Sequence, residues 1–263
     1  AMADDKNRDI RLEAAIAKLF CTEASWRIVD ATVQIRGGRG YETADSLKAR
    51  GEAPIPLERV MRDARINTII EGTSQIMRLF IAREALDPHA RRILPLMSRE
   101  TDFWTKLKLT LNLIFFYAFW YPKQWLGIAL GEKTSSIPAE LRDHVRFVNR
   151  TSRRLARDLF HAMMWYREGL DKKQRLLSRM VNIGTDLFAM AAACSRAASL
   201  VSKNPSDTGP VELADLFARD ARGRINGHFR TLFRNHDRSA YRIARNALEG
   251  KYQWLEEGII PPP

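Results

Sequence analysis

Hydrophobic positions recur along this chain at intervals of three and four, with no strand-like alternation. That spacing puts apolar side chains on one face of an α-helix, whereas a half-buried strand alternates. Residues 9–35 carry the first such face, through Ile10, Ala14, Ile16, Leu19, Phe20, Trp26, Val29 and Val33. Gly37, Gly38 and Gly40 end it, because glycine adopts backbone conformations closed to other residues. A polar loop, ETADSLKARGEAPIP, follows, and Pro54 and Pro56 exclude regular structure at its end. LERVMRDARINTII forms a short helical or irregular connection. EGTSQIMRLFIAREAL then offers Thr73 or Ser74 as a cap before a stripe of Ile76, Leu79, Phe80 and Ala82, and Pro88 is expected to end that helix.

Residues 103–130 are the most apolar part, and the run Leu109–Tyr121 is 13 residues long. A bilayer-spanning helix needs roughly 20. Lys106, Lys108 and Lys123 flank the run, and Trp104, Tyr117, Trp120, Tyr121 and Trp125 stud it. Aromatic rings with flexible cations at their edge suit a lipid headgroup boundary. A buried hairpin of core helices fits the same residues. Residues 138–203 read as two long helices, the second rich in small residues after Asp186, which permits close packing. Residues 211–247 form a last helical block, and the tail GIIPPP cannot be helical. No internal repeat is visible. The chain is predicted to be all-α.

Charge adds an asymmetry. The formal net charge is +12, yet residues 1–88 hold 14 basic and 14 acidic side chains, whereas residues 142–245 hold 21 and 10. A basic second half favours anionic partners: phospholipid, nucleic acid or a nucleotide-bearing substrate. Hydrophobic residues make up 45%, enough for a sizeable core. Cys21 and Cys194 lie far apart without metal-ligand or redox spacing and read as buried free thiols. His144, His161, His228 and His236 have no carboxylate or thiol spacing that supports a metal, so no metal site is predicted. The chain starts inside an amphipathic pattern without a signal peptide, and is expected to be a fragment that lacks upstream domains.

One short stretch raises a chemical question. In IIEGTSQIM a carboxylate, Glu71, sits beside Ile69 and Ile70 at the start of a helix. By itself it reads as a solvated helix-start carboxylate stabilised by the helix dipole. Gln34, Gly37 and Gly38 by themselves read as a helix end and turn.

The ordered set of motifs changes that balance. Ala17-Lys18-Leu19-Phe20, then Gln34-Ile35-x-Gly37-Gly38-x-Gly40-Tyr41, then Glu58-Arg59-x-x-Arg62-Asp63-x-Arg65, then Glu71-Gly72-Thr73-x-Gln75-Ile76 closely resemble the C-terminal helical domain of acyl-CoA dehydrogenases. The resemblance spans roughly residues 8–88. It implies an up-and-down helical bundle over residues 1–91, followed by an additional basic helical domain over 92–263. It implies FAD as cofactor and a fatty acyl-CoA thioester as substrate, with an electron-accepting flavoprotein as partner. Glu71 matches the base that removes the α-proton, while a hydride leaves the β-carbon for the flavin. A carboxylate among apolar neighbours loses hydration, which raises its basicity. Gly72 matches a glycine whose backbone touches substrate, and Ile70 lines the pocket wall. Thr73 and Gln75 match positions that contact FAD. Gln34 and Gly38, with Gly37 in the same turn, match residues that contact FAD held mainly by the neighbouring subunit, which implies a homodimer. Arg62 and Asp63 read as an ion pair that holds the loop.

Two departures stand out. The residue before the base is often Tyr or Phe in that family and is Ile70 here, which leaves acyl length open. The loop between Tyr41 and Glu58 is longer than in short tetrameric members. The domains that cradle most of the FAD in the family are absent from the chain, which is expected to be inactive alone. The block beyond residue 92 resembles, in layout, the added C-terminal domain of the very-long-chain type, which is dimeric and peripheral to membranes. The expected location is therefore cytoplasmic, at the inner surface of the membrane, in fatty acid β-oxidation. The competing readings give the basic C-terminal domain to nucleic acid, or to dimerisation alone.

Overall fold

The computed structural model describes residues 9–97, 102–126 and 136–258, and all regular structure within them is helical. The α-helices in chain order are α1 (Arg11–Arg36), α2 (Ala44–Ala49), α3 (Leu57–Ile66), α4 (Ser74–Met97), α5 (Phe103–Leu126), α6 (Ala139–Tyr166), α7 (Gln174–Lys203), α8 (Gly209–Arg230) and α9 (Asp237–Leu248).

Helix α7 is the axle of the molecule. Its sequence is apolar on most sides, and it buries residues from Leu176 to Ala197 against α1, α4, α6 and α8. Its tightest partner is α8, where Ala214, Ala218 and Ala221 form a small-residue face. With so little side chain between them, the two backbones approach closely. One continuous core joins Ile16 and Leu19 of α1, Ile81 of α4, Ile183 and Met190 of α7, and Ile225 and Phe229 of α8. Each large aliphatic side chain fully buried there contributes about 1.5–3 kcal/mol.

Polar ties cross the same seam. Arg78 of α4 is 17% exposed, and it donates to Asn182 Oδ1 of α7 at 2.9 Å and pairs with Glu23 of α1 at 2.8 Å. Helix α9 buries no residue of its own and is held at its first turn. There Arg179 donates two bonds of 2.7 Å to the Asp237 carboxylate, and Arg175 adds a third at 2.9 Å.

Several expectations need correction. Pro88 does not end α4, which runs on to Met97 with Pro88 and Pro95 inside it. The lost N–H is offset by tertiary packing: His89 bonds the Tyr117 hydroxyl at 2.8 Å and Arg92 lies 4.2 Å over the Phe116 ring, both on α5. The Pro88 carbonyl is taken up by the Arg92 guanidinium. The boundary expected at residue 91 thus falls inside a helix. The polar loop contains α2, capped by the Thr43 hydroxyl and anchored by the fully buried Leu47. Arg62 pairs with Glu58 at 2.7 Å and not with Asp63, because residues four apart share a helix face and adjacent ones do not. The last block is two helices, α8 and α9, separated by residues 231–236. Cys194 is buried as expected, but Cys21 is exposed.

Helix α5 matches neither a buried hairpin nor a free helix. One stripe, through Leu109, Leu113, Phe116, Tyr117, Trp120 and Tyr121, packs toward α4 and α6. Its rings meet Phe160 of α6, with Tyr117 4.9 Å and Tyr121 5.4 Å from that ring. The opposite stripe is also apolar and is exposed: Phe103, Trp104, Leu111, Ile114, Phe115 and Phe119 are each between 48% and 77% accessible. No helix among the described residues is long and apolar enough to cross a membrane. Residues 127–130 of the apolar stretch, and 259–263 of the tail, lie outside the described residues.

Candidate active site

The link between α3 and α4 folds back on itself through local hydrogen bonds. After Ile66 the chain keeps one more turn, with the Ile69 and Ile70 N–H groups donating to the Ile66 carbonyl at 2.9 and 3.0 Å. The Thr68 hydroxyl donates to the Arg65 carbonyl at 2.8 Å. The chain then reverses at Glu71 and Gly72, whose φ angles are 54° and 96°. The reversal is closed by the Ser74 N–H donating to the Thr68 carbonyl at 3.1 Å. Helix α4 starts at once, capped by the Thr73 hydroxyl, which accepts from the Ile76 N–H at 3.3 Å. That is one of the two caps expected from the sequence.

The turn is held in a conformation that costs energy. A left-handed φ on a residue with a Cβ is unfavourable by about 1–2 kcal/mol. Glu71 and Arg167 alone among the described non-glycine residues adopt one. A Cβ on Gly72 would lie 2.9 Å from Met77 Sδ, so any side chain there would have to displace the Met77 side chain as well as bear the left-handed φ. The clamp is Lys18 of α1, whose Nζ donates to the Gly72 carbonyl at 2.6 Å and to the Ile70 carbonyl at 3.2 Å. Lys18 stands in the quoted Ala-Lys-Leu-Phe motif, but its role was not legible, because its partners lie more than 50 residues away.

The predicted site residues fall into two groups. Glu71, Gly72, Ile70, Thr73 and Gln75 come together at this turn. Thr73 and Gln75 border a groove of about 330 Å³ between α1 and the turn, walled by Trp26, Arg27, Arg65 and Ile69. Arg65 stands 5.4 Å from the Trp26 ring centre, which fixes one side of the groove. Gln34, Gly37 and Gly38 are not part of this group. They lie at the far end of α1, and Gln34 follows Lys18 by sixteen residues, or about 24 Å of helix. All three are exposed. Gly37 ends α1 with φ 59° and donates its N–H to the Gln34 carbonyl. The glycine that packing constrains is their neighbour Gly40, where a Cβ would lie 2.8 Å from the Val33 carbonyl.

The dehydration expected of Glu71 is not found in this chain. Glu71 is exposed, and Ile69 and Ile70 are each 46% accessible, so its apolar neighbours do not cover it. Covering a carboxylate takes non-local walls, and adjacent residues in sequence do not supply them. Among the described residues no group of three or more His, Cys, Asp or Glu could hold a metal ion.

An all-helical bundle with a strained Glu-Gly turn heading a capped helix defines the class, and comparison with known proteins gives the family. Residues 1–86 match the family model described as acyl-CoA dehydrogenase, C-terminal domain, and residues 139–251 match that described as ACAD9/ACADV, C-terminal domain. Both segments therefore belong to the acyl-CoA dehydrogenase family. Among individual relatives, the chain is 45% identical over 260 residues to the probable acyl-CoA dehydrogenase FadE10 of Mycobacterium tuberculosis, covering 98% of this chain and 40% of that protein. It is 30% identical to the mitochondrial very long-chain specific acyl-CoA dehydrogenase of Homo sapiens, covering 86% of this chain and 32% of that protein. A crystal structure of an acyl-CoA dehydrogenase complexed with FAD from Bacillus anthracis superposes with a TM-score of 0.57 at 25% identity, covering 82% of this chain and 31% of that one. The chain thus spans about two fifths or less of the length of these relatives.

Proposed function

We propose that the protein containing this chain dehydrogenates a long-chain fatty acyl-CoA thioester to the trans-2-enoyl-CoA, with Glu71 as the α-proton acceptor. The observation that carries this reading is the Lys18-clamped turn, which spends backbone strain to hold a carboxylate and a side-chain-free backbone at the head of α4. Such strain persists where the surroundings over-determine it, and it gathers at functional sites. A thioester α-proton is weakly acidic, so a base must be fixed within hydrogen-bond reach of that carbon's proton. Gly72, with no Cβ, lets a thioester approach the turn backbone. In this reading the walls that dehydrate Glu71 come from substrate and from the rest of the longer protein.

The residues beside the turn suit FAD. The Thr73 hydroxyl and the Gln75 amide border the groove, and an amide and a hydroxyl there can meet the polar edge of a flavin ring. FAD when bound supplies the acceptor for the hydride leaving the β-carbon, and an electron-accepting flavoprotein would take the electrons onward. Gln34, Gly37 and Gly38, exposed about 24 Å along α1 from the turn, would serve the FAD of a second copy, which makes the protein a homodimer. The test uses the full-length protein. Glu71→Gln is expected to abolish flavin bleaching by long-chain acyl-CoA while FAD stays bound. Ordinary turnover by that variant would refute the assignment.

The exposed stripe of α5 extends the reading to location. Phe103, Trp104, Phe115 and Phe119 with Lys106, Lys108 and Lys123 form an apolar face edged by cations. We assign this face to the headgroup layer of an anionic bilayer, peripheral at the inner membrane surface, where long acyl chains partition. Each surface cation there contributes about 1 kcal/mol. Phe115→Asp with Phe119→Asp is expected to abolish flotation with phosphatidylglycerol vesicles. Retained flotation would refute it, and tight duplex DNA binding without vesicle binding would favour the nucleic-acid reading.

A further inference from the structure

Helix α6 carries Arg150, Arg153, Arg154 and Arg157, whose spacing of three, four and seven puts four guanidinium groups on one face. They line a cavity of about 620 Å³, closed on one side by Gln124 and Trp125 at the end of α5 and on another by Asn226 of α8. We propose that this cavity is a binding site for a phosphoryl anion that presents at least two unesterified oxygens.

What sets the cavity apart is that four arginines converge on one space. Where arginines of the basic half do meet carboxylates, they do so at close range: Arg179 with Asp237, Arg219 with Asp215, Arg222 with Asp143 and Arg224 with Asp186, all at 2.7–2.8 Å. No acid lines the cavity itself; of the acids nearby, Asp158 lies 3.8 Å from Arg154, and Asp143, which Arg222 engages at 2.8 Å, feels the charge of Arg150 at longer range. Burial raises the Asp158 carboxyl above its ordinary range, against the lowering effect of Arg154, His161 and Arg157. Among the described residues neither Arg150 nor Arg153 has a hydrogen bond or an ion pair. Like charges three and four apart on a helix repel each other, so this face is a cost until an anion occupies it.

Two of the four groups are already oriented. Arg157 lies 4.1 Å over the Trp125 ring and donates to the Gln124 carbonyl. Arg154 lies 4.0 Å over the Phe229 ring. Ring stacking occupies the flat face of a guanidinium and leaves its edge N–H donors free, and those donors match phosphate oxygens in pairs. The Asn226 amide adds a neutral donor that no other described residue claims. The same chemistry is presented by a soluble phosphate compound and by a phospholipid headgroup. Trp125 and Leu126, 59% and 68% accessible, join the cavity rim to the apolar face of α5, which favours the headgroup.

The test uses the chain as it stands and begins without lipid. Titration calorimetry with inorganic pyrophosphate compares the parent, Arg150→Ala with Arg153→Ala, and the same pair changed to Lys. Among the described residues these two arginines make no hydrogen bond or close ion pair, so the Ala pair is expected to melt no lower than the parent. Binding by the parent that weakens roughly tenfold or more in the Ala pair, and less in the Lys pair, supports the site and a soluble source. Absence of pyrophosphate binding, with flotation on phosphatidylglycerol but not phosphatidylcholine vesicles that the Ala pair loses, supports the site and the headgroup source. Equal binding of both probes by parent and Ala pair, or binding of neither by the parent, overturns it. The pyrophosphate arm contains no membrane, so failure of the α5 assignment leaves that arm intact.

Discussion

Replacing Lys18 by Met removes the ammonium that clamps the Glu71 turn while keeping the length of its apolar stem. Two hydrogen bonds go, the part-buried one of 2.6 Å to the Gly72 carbonyl and the exposed one of 3.2 Å to the Ile70 carbonyl. A hydrogen bond from a charged donor contributes about 1.5–3 kcal/mol, and water can replace the exposed one. The net loss is therefore about 2 kcal/mol, carried by the shorter bond. It falls on a turn that already bears about 1–2 kcal/mol of backbone strain at Glu71. Two kcal/mol is roughly a thirtyfold shift in the equilibrium between the closed and opened turn.

Hydrogen exchange reads that equilibrium directly. The Ile70 and Ser74 amides donate to the Ile66 and Thr68 carbonyls and close the turn. In the Met variant both are expected to exchange about thirtyfold faster, since local opening sets their protection. The amides of α7 around the fully buried Met190 should be unchanged. Equal rates at Ile70 and Ser74 in variant and parent would refute the clamp. In the full-length protein the same substitution is expected to lower kcat more than it raises KM, with FAD retained. An unchanged kcat beside faster exchange would separate the turn from the chemistry and refute their link.

Three further outcomes follow from the packing. Gly72→Ala is expected to cost about 1–3 kcal/mol in urea unfolding, from the strained φ and the contact with Met77; measured in a Met77→Ala background, the same change should cost less by the steric part and keep the backbone part, and a cost that vanishes there would refute the strain. Arg78→Met leaves the Glu23 carboxylate and the Asn182 amide without their shared donor, so unfolding stability should fall by about 2–3 kcal/mol; a loss below the error of the measurement would refute the tie. The Arg179 guanidinium holds the Asp237 carboxyl below the ordinary carboxylate range. Its contribution is then complete above about pH 4 and is lost as pH falls through the lower folded value. Asp237→Asn should therefore melt below the parent at neutral pH, with a gap that narrows on acidification; a constant gap would refute the linkage.

What the sequence made legible was periodic or local. The faces of α1, α6 and α7 repeat every three or four residues for many turns, so their helices could be read directly. The Thr73 cap and the glycine that ends α1 depend on residues within one turn. What stayed hidden depended on distant partners. Pro88 argues locally for a helix end, and only the rings of α5 outweigh it. Arg62 and Asp63 suggest a pair by charge, yet helix geometry gives Arg62 to Glu58. Glu71 has apolar neighbours in sequence, but they leave it exposed, because a wall must come from elsewhere in the fold. Lys18 could be quoted as part of a motif while its two carbonyl partners stayed invisible.

Helix α4 shows why Pro88 was worth tolerating. Its first turn is fixed by the Thr73 cap beside Glu71, its middle by Arg78 against α1 and α7, and its last turns by His89 and Arg92 against α5. A helix of 24 residues is about 36 Å long. Had it ended at Pro88, the inward rings of α5 would lose one of their two partners and keep only Phe160 of α6. By continuing, α4 ties the turn that carries Glu71 and the face assigned to the membrane to one rigid element. In the proposed reading, that rod fixes the distance between the carboxylate and the bilayer surface from which a long acyl chain is drawn.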